Sequence, residues 1–326
     1  MRRGPKFSLI FVLIILLIAG VFVFSAVKFL ETAMLSPGST YKENSGKTII
    51  RNGKEYFPRQ DIMVVLLIGT DAEGIVQSSN SYNNKASADM VALMIFDESS
   101  KECSILSLNR DTMMDIPVLG IGGKSAGSVY AQLATSHNYG SGLADSCENT
   151  KTAVSNFLYG LSIDYYLSLT MDGIGVLNDG VGGVEVTVTD DFSEVSSDLP
   201  MGETLILRGD QAYTYVRSRM NVGTQLNVSR MDRQKQYMEG FMSSLSTALD
   251  NNTTFFTELW SQLSDYVVTD CTPVVMNQLA TQYKDYKFIG SLTPEGENIL
   301  GDRYYEFYAD LDALDRLILD LFYEEK

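Results

Sequence analysis

Five arginines, Arg110, Arg217, Arg219, Arg230 and Arg233, stand out in a 326-residue chain that is otherwise acidic. Lys and Arg number 25 against 41 Asp and Glu, a formal net charge of −16. Guanidinium forks match the paired oxygens of phosphates and carboxylates. The net acidity argues against a surface that neutralises a nucleic-acid backbone, so no nucleic-acid partner is expected and any positive site must be local. The single histidine, His137, and the cysteines Cys103, Cys147 and Cys271, which show no CxxC spacing, cannot assemble a zinc ligand set. A Ser-His-Asp device would have to run through His137, and no G-x-S-x-G accompanies it. A metal here is therefore expected on oxygen ligands.

The spacing of apolar runs suggests how the polar groups meet. Ile62 to Gly69 is a continuous apolar run ended by glycine, as in a strand buried on both faces, and it delivers Asp71 at its end. Met90 to Phe96, the turn-like DESSKE and Cys103 to Asn109 read as an antiparallel hairpin. A symmetric turn sets Phe96 opposite Cys103 and Asp89 opposite Arg110. Asp89, Arg110 and Asp111 then share one end of the sheet, and Asp71 joins them if its strand runs alongside. A surface ion pair between Asp89 and Arg110 is the competing account.

Gly209 to Arg219 (GDQAYTYVRSR) carries two of the arginines, and Ser229 to Gln236 (SRMDRQKQ) reads as a helix start with Ser229 as N-cap and Asp232 at capping-box spacing. Met238, Phe241, Met242, Leu245 and Leu249 form that helix's apolar stripe. Steps of four backward reach Gln234 and Arg230, with Arg233 beside them, so the first turn aims two arginines and a glutamine toward the buried side. Inward arginines require anions. Those anions are either the protein's own carboxylates, in a bracing network, or a bound phosphate.

Around these groups, helices are expected over Thr150–Leu161, Gly173–Asp179, Phe255–Leu263, Cys271–Tyr283 and Leu311–Tyr323, and strands over Tyr165–Thr170 and Val184–Val188, the last after a glycine turn at 180–183. This alternation predicts an α/β sandwich. Trp260 is expected in the core or in a cleft wall. Phe7 to Val27 is apolar apart from Ser8, Gly20 and Ser25 and long enough to cross a hydrocarbon core. Arg2, Arg3 and Lys6 before it place residues 1–6 in the cytoplasm, 7–30 in the membrane and the rest outside, as a single-pass protein of the cell membrane. A cleaved signal peptide is the alternative. Residues 31–60 read as a stalk or small hairpin, 61–245 as the domain holding the polar groups, and 246–326 as packing elements of that domain.

The pieces LLIGTD (66–71), ADMVALMIFD (88–97), SILSLNRDT (104–112), AVSNFLYGLSIDYYLSLTMDG (153–173), NDGVGGVEV (178–186), GDQAYTYVRSR and SRMDRQKQ, in this order, resemble the LytR-CpsA-Psr family of cell-envelope glycopolymer transferases. The resemblance implies an α-β-α fold around a central mixed sheet, behind one transmembrane helix. It implies a membrane-bound phosphotransferase that passes a glycopolymer from a polyprenyl-pyrophosphate carrier to a peptidoglycan hydroxyl in a Gram-positive-type bacterium. It further implies Mg²⁺ on Asp71 and Asp89, catalytic roles for Arg110, Asp111, Arg217 and Arg219, and pyrophosphate binding by Arg110, Arg217, Arg219, Arg230, Arg233 and Gln234. The chain departs from the family pattern in having Ser87 where an arginine is common and no acidic residue between Arg219 and Arg230. A polyprenyl-phosphate-binding regulator and a lipid pyrophosphate hydrolase are the alternative functions.

Overall fold

A computed structural model of the chain describes residues 47–325, save 80, 82, 219, 220, 223–226 and 253. The apolar run at 7–27 and Arg219 lie outside the described residues. The strands are β1 (Ile49–Arg51), β2 (Lys54–Pro58), β3 (Ile62–Thr70), β4 (Ala88–Asp97), β5 (Glu102–Leu108), β6 (Met113–Leu119), β7 (Ser125–Gln132), β8 (Tyr165–Leu169), β9 (Val184–Thr187), β10 (Thr204–Leu207), β11 (Val267–Thr269), β12 (Lys287–Leu292), β13 (Gly296–Leu300), β14 (Tyr305–Ala309) and β15 (Tyr323–Glu325). The α-helices are α1 (Ala144–Phe157), α2 (Met171–Gly180), α3 (Gly209–Arg217), α4 (Asn227–Asn251), α5 (Phe255–Leu263), α6 (Pro273–Tyr283) and α7 (Leu311–Phe322).

Six strands form a mixed central sheet in the order β11-β8-β3-β4-β5-β12. β3 and β8 run parallel, and β4 is antiparallel to both β3 and β5. The unbroken apolar run of β3 follows from cover on both faces. Ile62, Val64, Leu66 and Ile68 point into a tight core with Cys147, Ala153 and Val154 of α1 and Leu314, Ile318 and Phe322 of α7. Met63, Val65 and Leu67 point the other way, toward α4, α5 and α6. Helix α6 starts as its residues dictate, with the Thr272 hydroxyl accepting from the Val275 N–H and Pro273 in the first turn.

Several expectations are corrected. Helix α1 begins at Ala144, six residues before the expected start, because its first turns (ADSCEN) are polar and hide the helical period. GDQAYTYVR folds as helix α3. Helix α4 starts at Asn227, so Ser229 is inside the first turn and is not the N-cap. The glycine turn before β9 is present, with Gly182 and Gly183 at φ +86° and +94°. In the middle of α4, Gly240 lets the helix press on β9, where a Cβ would meet the Glu185 carbonyl oxygen at 2.5 Å. The stretch at 49–58 forms a hairpin, β1–β2, and the C-terminal β15 pairs with β2 to complete a three-stranded sheet.

Arg233 is also corrected. It does not join the other arginines as a pyrophosphate ligand. One residue off the line through Arg230 and Gln234, it is rotated by about 100° around the helix and faces a second core. There it is 1% exposed, lies 5.4 Å over the Phe192 ring, pairs with Asp190 and donates to the carbonyl oxygens of Tyr215 (3.0 Å) and Ser218. It braces the end of α3 against α4. Arg233→Ala leaves Asp190 uncompensated and is expected to lower unfolding free energy by about 3 kcal/mol. Urea titration checks this, and a loss no larger than that of the half-exposed Arg217→Ala would contradict the brace.

Candidate active site

The hairpin register is as the residues require. Phe96 pairs with Cys103 and Val91 with Leu108. Continuing that register past the last ladder residues brings Asp89 and Arg110 into a direct ion pair. β3 ends alongside β4, and there the Asp71 N–H donates to the Ser87 carbonyl at 3.1 Å while the Ser87 N–H returns a bond of 2.7 Å to Asp71 Oδ1. Asp71 and Asp89 thus sit on neighbouring strands at one end of the sheet. Burial holds the Asp71 carboxyl above the usual aspartate range, and the charge of Asp89 adds to the effect, against the hydrogen bond from Ser87 and the charge of Arg110. A half-buried carboxylate with a second one beside it suits a hard cation that takes further oxygens from phosphate and water. Among the described residues no group of three or more His, Cys, Asp or Glu side chains forms a metal-holding cluster.

Asp89 is shared. Arg110 grips one oxygen, and Arg230, from the first turn of α4, lies 3.5 Å from the other. Arg110 Nε is also 3.4 Å from Asp111 Oδ1, which receives Gln132 Nε2 at 3.4 Å. Gln234 donates to the Val216 carbonyl at 3.3 Å and so fixes the end of α3, where Arg217 sits. Arg217 pairs with Glu73 at 3.0 Å and donates to the phenol of Tyr213 one turn earlier. The Glu73 pair is solvent-exposed and therefore weak and exchangeable. Arg110, Arg217 and Arg230, three of the expected ligands, are thus brought to one rim with Gln234, Asp71, Asp89 and Asp111. Sequence reasoning missed Tyr213, Glu73 and Gln132. The spacing of four between Tyr213 and Arg217 would have shown the first, had the segment been read as helical.

Beneath the rim lies a cavity of about 240 Å³, lined by Asp89, Arg217, Arg230 and Gln234 at one end and by Tyr237, Phe241 and Trp260 further in. A second cavity of about 490 Å³ continues it. Both are lined by Leu67, Met94, Leu167, Leu245, Phe256 and Met276, so they form one apolar trough between the sheet and α4–α6. From Gly69 to Met63 this trough follows β3 for about 20 Å. Trp260 is a wall of it, as expected.

His137 takes no part. It is buried, with Nδ1 2.8 Å from the Ala86 carbonyl oxygen, and burial holds its pKa below the usual imidazole range. Burial pushes the thiols of Cys103 to about 11 and of Cys147 and Cys271 to about 12, so none is a nucleophile at neutral pH.

Known proteins share this architecture. The crystal structure of B. subtilis TagV superposes with a TM-score of 0.63 over 81% of this chain and 96% of that one, at 24% identity. In sequence, the chain is 29% identical over 290 residues to a protein of Enterococcus faecalis named polyisoprenyl-teichoic acid--peptidoglycan teichoic acid transferase TagU, covering 87% of this chain and 85% of that protein. A Bacillus licheniformis protein of the same name is 25% identical over 98% of this chain and 97% of its own length. The family model for LytR_cpsA_psr matches residues 27–319, nearly the whole described fold, and the chain belongs to that family.

Proposed function

We propose that the protein is a phosphotransferase that moves a glycopolymer from a polyprenyl-pyrophosphate carrier to a peptidoglycan hydroxyl. The observation that carries the reading is a polar rim of arginines and carboxylates opening directly onto an apolar trough. A molecule with a diphosphate at one end and a long hydrocarbon at the other matches both halves. Relatives named as teichoic acid transferases support the same class of reaction. The apolar run at 7–27, read as an anchor, would hold the domain beside a membrane-borne donor.

In the proposed reaction the acceptor hydroxyl attacks the sugar-linked phosphorus in line with the bridging oxygen. A new P–O bond forms, the P–O–P bridge breaks, and polyprenyl monophosphate leaves. Such a transfer depends on placement and charge neutralisation more than on a protein nucleophile. Arg110, Arg217 and Arg230 bind the phosphate oxygens, and we assign Arg219 to the same task. Gln234 keeps Arg217 in position through its bond to the Val216 carbonyl. We assign the acceptor's proton to Asp111, whose carboxylate lies 3.4 Å from Arg110 Nε. Asp71 and Asp89 would hold Mg²⁺, which supplies neutralisation of the charge on the departing phosphate.

The full chain, incubated with a synthetic lipid-pyrophosphate oligosaccharide, Mg²⁺ and a peptidoglycan fragment, is expected to yield a covalent conjugate. Release of lipid monophosphate alone would make it a hydrolase instead, and binding without turnover a regulator. Arg217→Ala is expected to weaken lipid-pyrophosphate binding at least tenfold with the unfolding midpoint unchanged; isothermal titration beside a urea melt reads both. Retained affinity with a lowered midpoint would return Arg217 to a bracing role.

The raised Asp71 carboxyl gives a signed pH dependence. A buried carboxylate costs stability above its folded pKa, and that cost is relieved as pH falls through the raised value. Cation binding needs the ionised form, so the thermal shift given by Mg²⁺ at neutral pH should fade on acidification before the ordinary aspartate value of about 4 is reached. Asp71→Asn should abolish that shift at every pH. A Mg²⁺ response that survives the substitution removes Asp71 from the metal site.

A further inference from the structure

Two of the antiparallel pairs outside the central sheet share one root. β6–β7 and β13–β14 both root at Arg110–Thr112. The Phe307 N–H donates to the Asp111 carbonyl oxygen at 2.9 Å, Thr112 bridges to Phe307, and the Ala134 N–H, just past β7, donates to the Arg110 carbonyl oxygen at 2.9 Å. Gln132, which touches the Asp111 carboxylate, also donates to the Tyr305 carbonyl oxygen at 2.7 Å and so ties one hairpin to the other.

The outer parts of these hairpins carry four exposed tyrosines. Tyr130 is 57% exposed, Tyr304 68%, Tyr305 48% and Tyr308 37%. The Tyr308 phenol donates to Glu306 at 2.7 Å. That bond, then partial loss of solvent, then the charge of Glu306 and the nearness of Tyr130, hold the phenol above its usual range. Exposed tyrosines offer flat apolar faces together with a polar tip, a combination suited to ligands that are apolar on one face and hydroxylated at the edge.

We infer that Tyr130 and Tyr308, one from each hairpin, form the platform that holds the acceptor glycan, a β-1,4-linked strand of N-acetylated sugars, next to the transfer site. The inference rests on the transferase reading above and names the surface at which its second substrate docks. Sugar rings present C–H faces for the tyrosines and hydroxyl and amide groups for Glu306 and Gln132. Charge separates this occupant from two others: Asp115, Glu297, Asp302 and Glu306 outnumber Lys124 and Arg303 on the two hairpins. An anionic lipid surface or a polyphosphate chain would be repelled there, and an uncharged glycan backbone would not. Position completes the argument. The hairpins are tied to Asp111, the residue assigned to take the acceptor's proton, through Phe307 and Gln132, and neither Tyr130 nor Tyr308 lines the trough assigned to the donor lipid.

The test uses the full chain, with N-acetylchitohexaose and polymer-stripped peptidoglycan sacculi as glycan probes and a polyprenyl pyrophosphate as the donor probe. The pair Tyr130→Ala with Tyr308→Ala is expected to weaken glycan binding at least tenfold, while the pair Tyr130→Phe with Tyr308→Phe retains it and donor binding is unchanged in both. Equal glycan affinity in the alanine pair overturns the platform. So does unchanged glycan affinity with lost binding to anionic phospholipid vesicles, which would give the hairpins to the membrane. A wild-type chain that holds glycan through these tyrosines but fails to bind the polyprenyl pyrophosphate would support the platform and sink the transferase reading.

Discussion

One carboxylate held by two guanidinium groups organises this molecule. Asp89 ends a central strand, Arg110 follows the neighbouring strand, and Arg230 belongs to the first turn of a helix that crosses from elsewhere in the chain. The shared pair draws that helix down onto the rim of the sheet. Arg110 also reaches Asp111, at 3.4 Å, so guanidinium and carboxylate groups alternate along the rim. Charges buried this far need opposite partners close by. The same interaction therefore fixes the architecture locally and gathers in one place the groups proposed to bind phosphate.

The two faces of the sheet answer different needs. On one, the even-numbered residues of β3 interlock with α1 and α7 and bury fully. On the other, the odd-numbered residues face helices that stand off far enough to leave an apolar trough. Close packing on the first face supplies stability, so the second can remain loosely filled without loss of the fold. Flexible and bulky side chains such as Met94, Met276 and Trp260 line that looser side, where adaptable packing is useful.

Much of this was readable from residue order. The central hairpin and its register followed from the apolar runs around DESSKE, and with them the meeting of Asp89 and Arg110. The stripe on α4 placed Arg230 and Gln234 correctly, because spacing of four on a helix is a strict geometric statement. It misplaced Arg233, since a neighbour on the same turn faces a different core, and nothing in the sequence shows that Asp190 waits there. The polar start of α1 went unread because its residues lack a clear apolar period. Helix α3 is only nine residues long, and the helical spacing of Ala212, Tyr215 and Val216 in it went unused. The hairpins β6–β7 and β13–β14 were missed for a related reason. Their exposed faces have little burial to impose alternation, so the pattern that reveals a strand is weak.

The last three described residues pair with Tyr56 to Pro58, so the first and last described strands lie within one small sheet. That seam makes the domain a closed circuit. Neither end of the described fold can fray alone, because loosening β15 strips β2 of a neighbour and uncovers Phe322 and Tyr323 from the main core. A pull on β2 would be shared by β15 before it could reach the rim of arginines and carboxylates.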